Sequence, residues 1–203
     1  GQTTATVAHE LRNPLSAIRN TYYVMKEAAG RKETNFDRQL ERMERSIGRC
    51  DRIISDLLDY SRLRNLNLSP VVFDQWIDEV LSDQHLPADV ALIKQLGAVG
   101  ETIGIDVDRM RQVVNNLIEN AAQAMHGVAS TRASQIVVST AVAADVFELT
   151  VADTGPGIPA AVLPKVFEPL FSTKSFGTGL GLSVVRQIVE QHGGTVTITS
   201  DPE

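Results

Sequence analysis

The sequence is poor in cysteine and has no long apolar run. Cys50 is the single cysteine in 203 residues, which excludes an internal disulfide framework, and four scattered histidines beside it do not have the spacing of a zinc site. No stretch of about 18 apolar residues occurs, and the N-terminal residues lack the basic and then apolar pattern of a signal peptide. We therefore expect this piece of chain to be soluble and cytoplasmic, with no membrane contact of its own.

The sequence also lacks an excess of positive charge. Its formal net charge of −6 argues against the large phosphate-binding surface of a nucleic-acid-binding protein, so we expect no nucleic-acid partner. No low-complexity tract interrupts a composition that is 43% apolar and 22% charged, which is the ordinary balance of a globular protein. The length suits two unequal domains, each with its own core.

Apolar residues at alternating spacings of four and three predict two helices between about residues 7 and 60. Gly30 supplies a helix end between them, and the polar residues after it supply a cap, which predicts an antiparallel hairpin. Two amphipathic helices cannot enclose a core alone, so we expect a homodimer through the hairpin, forming a four-helix bundle. Packing on the rest of the same chain is the alternative. The two heptad seams contain Leu11, Leu15, Ile18, Tyr22 and Met25, and then Phe36, Leu40, Met43, Ile47, Cys50, Ile54 and Leu57.

After Leu66 the apolar period changes, which predicts one domain over residues 1–65 and a second over residues 66–203. Short strand-like runs alternate with helical ones and predict an α+β layer, with helices on one face of a mixed sheet. Asp74 and Asp108 are the predicted N-caps of two of its helices. Predicted strands cover residues 71–73, 90–96, 102–106, 136–142, 146–152 and 195–200, and predicted helices cover residues 74–84, 108–125, 160–167 and 181–192.

A histidine with a carboxylate and an amide nearby lies near the start of the first predicted helix. His9 is about 200° around the helix from the seam residue Leu11, so we expect it to face outward and to be available as a nucleophile. Glu10 is placed to accept the proton of the second ring nitrogen, and Asn13 shares the face of His9. Pro14 predicts a local bend. An exposed helical histidine alone is usually an ordinary surface residue, and it is the neighbours that favour catalysis.

The helix predicted after Asp108 contains a cluster of asparagines. Asn116 and Asn120 share one face at i and i+4, and their carbonyl oxygens are hard ligands suited to Mg²⁺ held jointly with nucleotide phosphates. A solvated helix face is the alternative. Because asparagine is a poor helix former, the cluster favours a binding face.

Two glycine-containing segments complete the candidate site. Asp153 ends a predicted strand before a turn that contains Gly155 and Gly157. A carboxylate there can accept a hydrogen bond from the exocyclic amino group of adenine. A later loop has glycine at every second position before a helix, which lets backbone N–H groups approach phosphates closely. Lys174 precedes this loop and is placed to reach a terminal phosphate, although a lone lysine is more often solvated. The loop residues are Gly177, Thr178, Gly179, Leu180 and Gly181.

In this order, the motifs resemble the transmitter region of sensor histidine kinases, and the resemblance covers nearly the whole chain. The segments that carry it are residues 9–15, similar to the phosphoacceptor box, 116–120 to the N box, 153–157 to the first glycine box, 167–171 to the F box and 177–181 to the second glycine box. The resemblance implies a dimeric helical hairpin followed by an α/β sandwich that binds ATP, of the type shared with gyrase, Hsp90 and MutL.

The resemblance also implies roles for individual residues. His9 would be the phosphoacceptor, Glu10 the general base, Asn120 the Mg²⁺ ligand and Asp153 the adenine reader. Asn13 matches the family residue that orients water to hydrolyse a phosphorylated response regulator. The remaining nucleotide contacts would come from Asn116, Lys174 and the glycine-rich residues listed above.

The family resemblance predicts ATP-dependent phosphorylation of His9 and transfer of the phosphoryl group to the receiver domain of a response regulator. An ATPase of the same superfamily without phosphotransfer and a non-catalytic dimeric scaffold are the two alternatives. The chain starts eight residues before His9 and stops at Glu203. We therefore expect an excised fragment that lacks an upstream sensor region, through which the full-length protein would be anchored to a membrane, and the last strand of the sheet.

Overall fold

The computed structural model of the chain describes residues 2–30, 36–61, 66–125, 133–144, 146–173 and 179–201, and the side chains within these ranges except those of residues 2–10, 27–30, 49, 52 and 55–61. The chain divides into two compact units. The first contains Gly1–Leu63 and Glu168–Leu180, and the second contains Arg64–Phe167 and Gly181–Glu203.

The first unit is built on two long helices, α1 (Gln2–Gly30) and α2 (Asp37–Ser61), which pack against each other. Among the seam positions whose side chains are described, alternate ones are covered where the two helices pack, with Cys50 buried and Leu11, Ile18 and Met43 half-buried. The other seam positions remain exposed within one copy of the chain. They are Leu15 (55% exposed), Tyr22 (53%), Leu40 (52%), Ile47 (48%) and Ile54 (45%).

The second unit contains the remaining regular elements. In chain order they are β1 (Ser69–Val72), α3 (Phe73–Ser82), β2 (Val90–Leu96), β3 (Thr102–Ile105), α4 (Val107–Met125), β4 (Ser134–Ala143), β5 (Val146–Asp153) and α5 (Gly181–Gln191). Three of the strands form a sheet in the order β2-β4-β5, with β2 and β4 parallel and β4 and β5 antiparallel. The strands β1 and β3 form a separate antiparallel pair.

One hydrophobic core joins α3 and α4 to the sheet. Ile77 and Val80 from α3, Val114 and Ile118 from α4 and Val138 from β4 are almost completely buried in it. Helices therefore cover one face of a mixed sheet, which confirms the predicted α+β class. This packing directs the opposite side of α4, including its asparagines, away from the core.

Neither predicted aspartate caps its helix. Asp74 lies inside α3, where its buried carboxylate accepts a hydrogen bond of 2.6 Å from the Thr140 hydroxyl, and no side chain caps α3. For α4 the cap is Asp106, whose Oδ1 accepts the Arg109 N–H at 3.1 Å, while Asp108 lies in the first turn. Both predictions were wrong because long-range contacts of Asp74 and Asp106 decide where each helix begins.

Two predicted elements of the second half of the chain also differ. Residues 160–167 form only a single 3₁₀ turn at Leu163–Lys165, because Pro164 removes a helix donor and disfavours the helical conformation of Leu163. Residues 195–201 are not paired in a strand, although their side chains alternate between exposed and half-buried. A period-two pattern reports which side chains face the core, whereas a strand also needs a hydrogen-bonded neighbour.

Candidate functional site

The asparagines of α4 lie against the start of α5. Asn116 Nδ2 donates a hydrogen bond of 3.4 Å to the Gly181 carbonyl oxygen. A Cβ placed on Gly181 would lie 3.7 Å from Asn120 Nδ2 and 3.8 Å from Asn116 Oδ1. The structure thus brings together two predicted site segments that lie far apart in sequence, and glycine leaves open the space between them.

This arrangement follows from the burial pattern of the two helices. Val114, Ile118 and Ala121 bury one side of α4, and Val184 and Ile188 bury one side of α5. Asn116 and Asn120 are therefore only partly covered. The first N–H groups of α5 have no partner within the helix and carry a partial positive charge, so the side chains of α4 and the start of α5 together favour an anionic ligand.

Asp153 stands at the exposed end of β5 in a tight turn. Its Oδ1 accepts the Gly155 N–H at 2.8 Å, and a Cβ on Gly155 would come within 2.7 Å of the same oxygen and 3.4 Å of Ala124 Cβ. Only glycine fits where this turn packs on the end of α4. Gly157 has φ of 74°, a left-handed conformation that suits glycine.

Thr154 is a site residue that sequence reasoning missed. Its hydroxyl donates to the Ala133 carbonyl at 2.9 Å and accepts the Gln135 N–H at 2.9 Å, while its own N–H donates to the Gln135 carbonyl at 3.1 Å. These bonds fasten the end of β5 to the start of β4 and so hold the adjacent Asp153 in place. A hydroxyl residue directly after a strand-ending aspartate was the available signal.

The glycine-rich segment is described from Gly179 onward, and Lys174, Gly177 and Thr178 lie outside the described residues. Gly179 has φ of 68°, and a Cβ on it would come within 2.5 Å of the Leu170 carbonyl carbon. Its carbonyl accepts the Leu170 N–H at 2.9 Å. Gly179 and the buried Leu180 belong to the first unit, whereas Gly181 belongs to the second.

The predicted phosphoacceptor segment lies in α1. The side chains of His9 and Glu10 are outside those described, so their outward orientation stays a prediction. Asn13 is exposed, and Pro14 lies inside the helix and is buried. The amide of Asn13 is therefore accessible in the described part of this segment.

The residues present fit a magnesium nucleotide. The amide oxygens of Asn116 and Asn120 are hard ligands of the kind that Mg²⁺ prefers beside phosphates. The space that a Gly181 side chain would fill lies between these amides and the start of α5. Asp153, whose turn packs on the C-terminal end of α4, presents a carboxylate suited to an amino group.

Two family models match this chain. Residues 1–66 match the His Kinase A (phospho-acceptor) domain, and residues 105–203 match the Histidine kinase-, DNA gyrase B-, and HSP90-like ATPase. Sensor histidine kinase ZraS of Escherichia coli is 38% identical over 98% of the chain and 43% of its own length. The chain thus spans less than half the length of this relative.

Solved structures have the same fold. Histidine kinase ThkA in complex with response regulator protein TrrA has a TM-score of 0.77 and 26% identity, over 96% of this chain and 55% of that chain. Acinetobacter baumannii histidine kinase AdeS has a TM-score of 0.74 at 23% identity, over 96% of this chain and 92% of its own. Within the described ranges, no helix combines the length and apolarity needed to span a membrane.

Proposed function

Because the chain belongs to the sensor histidine kinases, we propose that it uses ATP to phosphorylate its own His9. The observation that carries this proposal is the meeting of Asn116, Asn120 and Gly181, which all lie in the second unit and within the ATPase match. His9 lies in the separate phospho-acceptor match. Incubation with γ-labelled ATP tests the proposal, because it predicts acid-labile, base-stable phosphate on histidine.

The functions that we propose for the two domains follow the two family-model matches. Residues 1–65 provide dimerisation and the phosphoacceptor, and residues 66–203 bind and orient ATP. The residues Glu168–Leu180 are grouped with the helices in the structure. We assign their glycines to nucleotide binding from the family resemblance.

In the proposed reaction, a ring nitrogen of neutral His9 attacks the γ-phosphorus. The new N–P bond forms as the bond between that phosphorus and the β,γ-bridging oxygen breaks, and ADP leaves with the bond electrons. The second ring nitrogen then loses its proton to the Glu10 carboxylate, which leaves an uncharged phosphoimidazole ring. Glu10 therefore raises the nucleophilicity of the histidine and removes the charge created by attack.

The nucleotide-binding residues divide between base and phosphates. The Asp153 carboxylate accepts a hydrogen bond from the adenine amino group, and the hydrogen bonds of Thr154 hold Asp153 at the strand end. Asn120, with Asn116 beside it, would hold Mg²⁺, which when bound neutralises phosphate charge. The backbone N–H groups at the start of α5 stabilise charge on the transferring group. We also assign Lys174, Gly177, Thr178, Gly179 and Leu180 to phosphate contacts.

Gly181→Ala is expected to weaken ATP binding about tenfold with little change in thermal stability. The added methyl group makes only ordinary contacts with Asn116 and Asn120, at 3.7 Å or more, but it occupies the space assigned to phosphate. Titration calorimetry with Mg-ATP measures the change. Gly104→Ala is the matched control, because a Cβ there meets nothing within 4 Å. Equal ATP affinity in the Gly181→Ala chain and in the control would show that the phosphates do not bind in this space.

We propose that two copies of the chain pair through the exposed seam. The five exposed seam side chains repeat every seven residues along each of α1 and α2, an apolar pattern that water disfavours and a second hairpin would cover. This pattern favours a four-helix bundle of two chains.

Ile47→Glu is expected to convert the dimer into a monomer. Loss of an Ile side chain from each copy removes about 2 kcal/mol per side chain, and an unpaired carboxylate adds a desolvation cost, so the dimer dissociation constant should rise more than about a hundredfold. Size-exclusion chromatography with light scattering measures the mass. Gly48→Glu adds the same charge at an exposed position next to the seam and should stay dimeric. A dimeric Ile47→Glu chain would place the interface elsewhere.

We further propose that phosphorylated His9 passes its phosphoryl group to an aspartate of a response regulator receiver domain. The structurally similar ThkA was solved with such a regulator, TrrA, which supports this partner class. Asn13 is exposed on α1, where its amide can orient water for hydrolysis of the phosphorylated regulator. A purified receiver domain should therefore lose phosphate faster in the presence of the chain.

A further inference from the structure

Asp106 joins three segments of the second unit through its side chain and backbone. Its Oδ1 caps α4 by accepting the Arg109 N–H at 3.1 Å, and its Oδ2 accepts the Asn67 N–H at 2.9 Å. Asn67 belongs to the segment that follows α2 and enters the second unit. A single carboxylate therefore holds both the start of the asparagine-bearing helix and the incoming chain.

The backbone of Asp106 makes the third connection. Its N–H donates a hydrogen bond of 3.0 Å to His192 Nε2, just beyond the end of α5. His192 Nδ1 lies 2.8 Å from the Ile188 carbonyl oxygen, so the network assigns the ring proton to Nδ1 and the acceptor role to Nε2. The end of α5 is thereby tied to the start of α4.

Two contacts with the α4 segment lie at opposite ends of α5, and the first of them is at the nucleotide-binding end. Asn116 meets Gly181 at one point, and Asp106 meets His192 at the other. Ten residues of α4 separate these points, a distance of about 15 Å along the helix axis. Together with the packing of α4 on α5, attachments at both ends of α5 hold the angle between the helices.

The carboxylate of Asp106 is charged under ordinary conditions. Partial burial acts to raise its pKa, but the N–H groups of Asn67 and Arg109 that donate to it and the nearby Arg109 guanidinium outweigh burial, so the pKa lies below its ordinary value. The charged form keeps both oxygens as acceptors for the two N–H donors.

We propose that Asp106 and His192 are positioning residues, which fix α4 and α5 for nucleotide binding and tie them to the segment arriving from the helical hairpin. This inference rests on the proposed kinase function. The bond to His192 sets the distance between Asn116 and Gly181, where ATP is proposed to bind. The bond to Asn67 sets how the ATP-bound second unit is attached to the segment that follows α2. The two bonds therefore have separable effects.

Replacement of Asp106 by asparagine tests the bond to Asn67. Asparagine caps a helix about as well as aspartate and keeps one acceptor oxygen for the Arg109 N–H, but its NH₂ group cannot accept the Asn67 N–H. In the full chain, Asp106→Asn should slow histidine phosphorylation at saturating ATP about tenfold and leave the KM for ATP within about twofold. Exchange of the Asn67 amide hydrogen should become about tenfold faster. A wild-type phosphorylation rate together with a wild-type exchange rate of the Asn67 amide would overturn the proposed role of the Asp106–Asn67 bond.

Substitutions of His192 test the second bond. His192→Leu removes the acceptor for the Asp106 N–H, and the KM for ATP should rise about tenfold, whereas His192→Gln supplies a carbonyl oxygen and should stay within about threefold of wild type. Equal KM values for wild type and His192→Leu would overturn the positioning role. A loss of similar size in His192→Gln and His192→Leu would do the same.

Readouts independent of phosphotransfer keep this inference separate from the kinase proposal. Thermal unfolding and exchange of the β4 amides should match wild type in Asp106→Asn and His192→Gln, which verifies the fold. If the wild-type chain labels no histidine, the kinase proposal fails. ATP affinity by calorimetry and exchange at Asn67 then still decide whether the two bonds act as described.

Discussion

His9→Gln is expected to abolish transfer of the γ-phosphate of ATP to the chain, a loss of more than about a thousandfold, with ATP affinity within about twofold of wild type. Glutamine has a good helix propensity and a polar side chain of similar reach, so α1 should be preserved, but its amide nitrogen is not a nucleophile. Asn116, Asn120, Asp153 and Gly181, which are assigned to nucleotide binding, lie in the other unit. Scintillation counting after electrophoresis measures incorporation, and calorimetry measures binding.

The chain offers a matched control for this result. His85→Gln changes an exposed histidine of the second unit, whose Nδ1 lies 3.0 Å from the Asp83 carbonyl oxygen, and should be labelled like wild type. Retained histidine labelling in His9→Gln would move the phosphoacceptor to another position. Phosphate release by wild type without labelled protein would instead support a plain ATPase, and absence of ATP binding would support a non-catalytic scaffold.

Local spacing in the sequence predicted the long helices and the shared face of two site asparagines. Heptad seams located α1 and α2, and the i, i+4 spacing of Asn116 and Asn120 placed them on one side of α4, because both rules depend only on helix geometry. The turn after Asp153 was likewise predictable, since its glycines have local conformational reasons to be there.

Contacts between distant residues were not predictable in the same way. Asp106 and Asp108 are both good cap residues two positions apart, and the structure selects Asp106, whose carboxylate also binds Asn67. Asp74 was misassigned because Thr140, far along the chain, binds its carboxylate. No local pattern encodes such partners. The meeting of Gly181 with the asparagines of α4 is also a tertiary result, which sequence order suggested only through family resemblance.

Asp153→Asn is expected to lower the affinity for ATP about a hundredfold, while the weaker affinity for GTP stays unchanged or rises. The asparagine Oδ1 still accepts the Gly155 N–H, as the aspartate does at 2.8 Å, so the turn is retained. The new NH₂ group takes the place of Oδ2, where it opposes the amino group of adenine but can donate to the carbonyl oxygen of guanine. Calorimetry with Mg-ATP and Mg-GTP measures the two affinities.

The ratio of the two affinities distinguishes base recognition from loss of structure. If the turn collapsed, ATP and GTP would lose affinity together, whereas a change in base recognition lowers only the preference for ATP. Asp89→Asn is the charge-matched control, because Asp89 is an exposed carboxylate in the loop before β2, and it should bind both nucleotides like wild type. Unchanged ATP affinity in Asp153→Asn would show that this carboxylate does not bind adenine. The strand-end turn of Asp153, Thr154 and Gly155 would then have a purely structural role.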